Sequence, residues 1–183
     1  MGKAERFSEE ELLLREVVAD FPDDADARVR LAALVAGDRP AEAGRLLRAA
    51  AELAVDDPLI LTRCVSHMFD LEELEDALRY AVRARESIVG DATDFVYFPQ
   101  LLHLYGRLVD RHGWDTEAEE ALTLAFELDP GMIGHAGVLA VFLANHGRLD
   151  EALEIISRGL DERPGDGALL RTREEIIALR RSG

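Results

Sequence analysis

The sequence holds one cysteine, Cys64, so no intramolecular disulfide forms, which fits a reducing compartment. Lysine is nearly absent as well. Lys3 is the only one, so almost all of the 21 basic residues are arginines. Arginine grips carboxylates in a planar, two-pronged manner that suits ion pairs between stacked helices. Bases are scarce beside 37 Asp and Glu, and the formal net charge is -16. Such a surface repels phosphate backbones and anionic lipid, so neither nucleic acid nor a membrane is expected as partner. The acid either keeps the exterior solvated or meets a basic protein partner. Long apolar runs are missing too. The longest uncharged stretch, 130–147, is broken by Pro130, four glycines, two histidines and Asn145, and is too short to span a bilayer. No apolar core follows Met1, so a secretory signal is not expected and the expected location is the cytoplasm.

The chemistry of common enzyme sites is equally thin. There is no glycine-rich phosphate loop, nucleophile elbow or zinc motif. The histidines, His67, His103, His112, His135 and His146, have no metal-binding helical spacing and no cysteine cluster to join. Paired glutamates fall on solvent faces, where acid–base work is poorly supported. The sequence therefore predicts no enzyme, no metal and no cofactor.

What is present is helix and repetition. Alanine and leucine abound, prolines number six, and no strand alternation occurs. His112-Gly113 recurs as His146-Gly147, Glu117-Ala118 as Glu151-Ala152, and Pro130-Gly131 as Pro164-Gly165, each pair 34 residues apart. A helix-turn-helix unit cannot bury its apolar stripe alone, whereas units stacked at a fixed period share one core. About ten helices with short turns are expected. Ser8 and Glu11 have capping-box spacing at the first. Asp38 or Arg39 caps the third, with Pro40 in its first turn. Asp70 is the break before the fifth, with Glu73 as capping partner. Between Ala77 and Ala118 the spacing is 41, because 88–99 inserts about seven residues. There, either a loop precedes a helix near Pro99, or a helix from Thr93 kinks at the proline.

The repeated residues resemble the tetratricopeptide repeat. The third repeat reads Leu102, Tyr105, Gly106, Val109, Gly113, Ala118, Leu122, Ala125 and Pro130. The fourth reads Ala136, Leu139, Ala140, Leu143, Gly147, Ala152, Ile156, Gly159 and Pro164. The first repeat fits if its turn is one residue short and its second helix about three long. The second lacks the turn glycine and the closing proline. The resemblance implies an all-α fold, a right-handed α-solenoid of antiparallel helix pairs forming one domain over 1–183. Its parts are a leading helix over 8–22, repeats over 25–58, 59–91, 99–130 and 131–164, an aromatic insertion at 92–98, and a capping helix over 166–181.

Function follows from the same resemblance. Such proteins bind a protein or peptide in the concave groove lined by the first helix of each pair. The groove positions transferred here include Arg30, Arg63, Ser66 and Phe69, then His103, Arg107, Asp110 and Arg111. In the fourth repeat they are Gly134, Gly137, Val138, Val141, Ala144 and Asn145. The Lys and Asn of the carboxylate-gripping subfamily are replaced by Arg30, Arg63 and Leu104. The arginines either line a basic groove for an acidic ligand or pair with carboxylates on the next helix. The fourth repeat's small apolar groove either takes an apolar side chain or packs against the last helix. Phe95, Tyr97 and Phe98 either plug the core or anchor an interface, and Trp114 covers helix ends or serves as another anchor. The reading is a non-enzymatic scaffold for a protein or peptide. Its alternatives are a homo-oligomerising module, such as a homodimer, and a sensor of a peptide or small molecule.

Overall fold

A computed structural model describes residues 8–88 and 90–182. Ten α-helices occur among them, with no strand. They gather into two compact units, Met1–Ala92 and Thr93–Gly183, divided within the stretch where the 34-residue spacing breaks. The first unit holds α1 (Glu9–Asp20), α2 (Ala25–Val35), α3 (Pro40–Leu53), α4 (Pro58–Asp70) and α5 (Leu74–Glu86). The second holds α6 (Phe98–Arg111), α7 (Asp115–Leu128), α8 (His135–Asn145), α9 (Leu149–Glu162) and α10 (Gly167–Ser182). Each helix packs on its neighbours in sequence: α2 with α3, α4 with α5, α6 with α7, and α8 with α9. Additional contacts join α2 to α4, and α8 and α9 to α10.

The turns explain the period. In three pairs the chain closes the first helix with a six-residue hydrogen bond: Glu73 N–H to Met68, Trp114 N–H to Val109, and Arg148 N–H to Leu143, at 2.9, 3.0 and 2.9 Å. Each needs a left-handed residue one place earlier. Gly113 (φ 74°) and Gly147 (φ 76°) supply it, and Glu72 (φ 61°) fills it where the glycine is missing. The first turn is one residue shorter, as expected. It closes with the tighter Arg39 N–H to Val35 bond at 2.8 Å. The expected lengthening of its second helix does not occur. α3 has 14 residues, as do α7 and α9, so α3 and α5 begin 34 residues apart, and so do α7 and α9.

Helices approach where side chains are small. A Cβ on Gly106 of α6 would lie 2.7 Å from Leu122 Cγ of α7, and one on Gly159 of α9 would lie 2.6 Å from Ala136 Cβ of α8. Ala118 and Ala152 are fully buried at matching crossings. The large buried side chains fill the space beside them, including Leu61, Met68 and Tyr80 in the first unit and Leu108, Phe126 and Leu139 in the second.

Arginines tie successive second helices together. Arg15 of α1 meets Glu42 of α3 at 2.6 Å, and Arg39, ahead of α3, meets the buried Glu11 of α1 at 2.5 Å. Burial alone would raise the Glu11 carboxyl, yet its bonds to Arg39 and Arg15 outweigh that and lower it. Arg48 of α3 reaches Glu73 and Asp76, while Arg148, ahead of α9, and Arg158 of α9 reach Glu119 and Glu127 of α7. One expected cap is corrected by this network. Arg39 stands at the N-cap of α3, one of the two positions expected, but its guanidinium only donates and so caps no N–H. Glu73, expected as the capping partner of Asp70, is itself the N-cap residue of α5 and makes no capping side-chain bond, its carboxylate being committed to Arg48. Ser8 does cap α1, accepting the Glu11 N–H at 3.1 Å.

Two substitutions test this account by urea unfolding. Gly159→Ala is expected to cost about 1–3 kcal/mol, since overpacking at the Ala136 contact outweighs the gain in helix propensity. Glu72→Gly is expected to stabilise the first unit by about 0.5–1 kcal/mol by relieving the left-handed strain.

Candidate functional site

The second unit carries a cleft of about 380 Å³ between the faces of α6, α8 and α10, within the usual size of a ligand pocket. α6 contributes Arg107, Asp110 and Arg111, which follow one another on a single helical face. α8 contributes Gly134, Gly137, Val138, Val141, Phe142 and Asn145. Thr172 of α10 closes one side. One wall is thus charged and the other is small and apolar. The glycines keep the apolar wall low: Gly137 faces Leu169 of α10 at ordinary contact distance, and Gly134 (φ 95°) starts α8 in a left-handed turn.

Of the expected groove positions of the third and fourth repeats, this cleft brings together Arg107, Asp110, Arg111, Gly134, Gly137, Val138, Val141 and Asn145, while His103 and Ala144 do not line it. Sequence reasoning missed Thr172 and Phe142. α10 was read as a cap without an assigned wall, and its offset from α8 follows no repeat spacing. The apolar groove packs on α10 at Gly137, yet Val141 remains 45% exposed.

Residues of the first unit fare differently. Arg63 of α4 is bonded to Asp26 of α2, the helix-to-helix pairing that was one of its two expected fates. Arg30 is exposed and Ser66 half-buried. Phe69 is 7% exposed, mostly withdrawn into the core. In the inserted stretch a single 3-10 turn, Ala92–Asp94, precedes α6, and Pro99 lies in the first turn of that helix. The structure therefore takes the loop-then-helix alternative, without a kink. Phe95 and Phe98 are half-buried and Tyr97 is 44% exposed, with the Phe95 and Tyr97 rings 5.9 Å apart. Trp114 is 48% exposed and tilts against His112 at 5.8 Å.

The histidines have structural work. His112 Nδ1 donates to the Leu108 carbonyl and His146 Nδ1 to that of Phe142, both at 2.8 Å, so the repeated His-Gly caps equivalent helix ends. His103 of α6 and His135 of α8 lie ring on ring, with centroids 4.9 Å apart and planes 24° apart. His135 is 1% exposed, and its Nδ1 donates to the Asp129 carbonyl at 3.1 Å. Buried His103 Nδ1 and His135 Nε2 have no hydrogen-bond partner among the described residues. Burial, then the neighbouring His135 and Arg107, hold His103 down to about 3. Burial lowers His135 too, against the Asp129 and Ala125 carbonyls, which favour its charged form. The described residues contain no group of three or more His, Cys, Asp or Glu arranged to hold a metal. No described helix is long and apolar enough to cross a membrane.

No family model and no curated protein matches the chain. Solved structures do. The chain is similar to Pseudomonas aeruginosa PilF at TM-score 0.74 and 15% identity, over 93% of this chain and 75% of that one. It is similar to a tetratricopeptide repeat protein from Parabacteroides merdae at TM-score 0.72 and 18% identity, over 93% and 65%. It is also similar to YrrB, described as a TPR protein with an unusual peptide-binding site, at TM-score 0.64 and 18% identity, over 92% and 84%. The chain has the tetratricopeptide helical-repeat fold.

Cys64 is wholly buried, and desolvation pushes its thiol up to about 12 despite the nearby Arg63. The native protein at pH 8 should resist a thiol reagent that labels it fully in denaturant. Rapid native labelling would show that α4 opens.

Proposed function

We propose that the chain is a non-enzymatic scaffold that holds a protein or peptide, and that the cleft of the second unit is its receptor surface. The observation that carries this is the composition of the cleft. Two arginines one helical turn apart face small apolar residues and Asn145, in a chain whose net charge is -16. A ligand that fits has a carboxylate for the arginines and a bulky apolar side chain for the Val138 and Val141 wall. Asp110 beside the arginines sets the register, since a second acidic group placed against it is repelled. The YrrB likeness is consistent with peptide binding but places no ligand here.

The experiment is capture of partners from native lysate, followed by affinity measurement with the captured species. Arg107→Ala/Arg111→Ala is expected to weaken binding at least tenfold and to flatten its salt dependence. Val141→Asp is expected to weaken it similarly, while Arg30→Ala, on the first unit, leaves it unchanged. Equal affinity in the double arginine variant would overturn the assignment of the cleft.

A further inference from the structure

We propose that His103 and His135 form an acid-released latch beneath the cleft, locking α8 against α6 while both rings are neutral and freeing the start of α8 when either takes a proton. The inference rests on the foregoing reading only in treating this cleft as the receptor.

The geometry comes first. The two rings join the helices that carry opposite walls of the cleft, at 4.9 Å. Gly134 belongs to both structures. It lines the cleft, and a Cβ on it would lie 3.8 Å from His103 Cε1. A movement of the pair is therefore a movement of the cleft floor.

The chemistry makes the stack one-sided. The Asp129 carbonyl can only accept, so His135 Nδ1 carries the proton and Nε2 keeps a lone pair. A second proton would sit on Nε2, buried and facing no acceptor among the described residues. On His103 a positive charge would stand between His135 and Arg107. The charged groups acting on the pair are Arg107 from α6 and Asp129 from the α7–α8 turn, and α8 has no charged side chain besides His135 itself. Asp129 favours charge on His135, but burial prevails over it.

The sign follows from linkage. A histidine depressed on closing contributes fully above its ordinary value of 6.5, and its contribution is lost as the pH falls from there toward about 3. At pH 5 the opened state, with His103 at its ordinary value, gains about 30-fold over the closed state relative to pH 7.5.

Native-state amide exchange tests this in the free protein, with protection factors corrected for intrinsic rates. From pH 7.5 to 5, protection of Val138 and Leu139 is expected to fall at least about 30-fold, while α2 and α3, which contain no histidine, hold theirs. In His103→Phe, which keeps an aromatic ring but cannot titrate, the fall should be several-fold smaller than in the wild type, with His135 supplying what remains. Unchanged wild-type protection, an equal fall in His103→Phe, or an equal loss in every helix would each overturn the latch. Should His103→Phe fail to fold, imidazole NMR of the wild type decides. Rings still neutral at pH 5 in the folded state support the latch, and rings charging near 6.5 without loss of protection refute it. No partner is needed, so this result stands apart from the capture experiment.

Discussion

Helices of the second unit meet closely where a side chain is absent or reduced to a methyl. Gly106 against Leu122 and Gly159 against Ala136 set that distance in the second unit, and the buried alanines 118 and 152 repeat it. Everything else is fitted around these crossings. The left-handed turns at 72, 113 and 147 return the chain at the angle the crossings require. The large residues occupy the volume left beside them, and the arginines bridge second helices that the stacking has brought within reach. The cleft inherits the same economy of side chains, because Gly134 and Gly137 add none to the face of α8 that lines it.

Much of this was legible in the sequence because it depends on local rules. A glycine after a histidine at a 34-residue interval marks a helix end, and the histidine itself was readable as a cap. The groove positions of α6 and α8 transferred to one cleft because the repeats there are regular. What escaped detection depends on long-range placement. The left-handed role of Glu72 has no signal in residue type, since glutamate rarely takes that conformation. Glu73 looked like a capping partner of Asp70 because of its three-residue spacing, and only the position of Arg48 shows where its charge goes. The facing of His103 and His135 was hidden because they lie 32 positions apart on helices whose register is offset from 34.

The electrostatics divide into two kinds. Pairs on second helices, such as Arg148 with Glu119, stay near solvent and individually contribute little, so they fix register more than stability. Glu11 is different: it is buried, and two arginines hold it ionised. Removing either arginine would leave that carboxylate short of a partner on the inner face of the leading helix.

Trp114 stands half-exposed in the α6–α7 turn, against the ring of His112, and no other tryptophan occurs in the sequence. The indole emission of this protein therefore belongs wholly to the second unit, and the first is dark at those wavelengths. Backbone dichroism, by contrast, sums the helices of both. Comparing the two signals during denaturation reads one half of the molecule against the whole, and the separation needs no label.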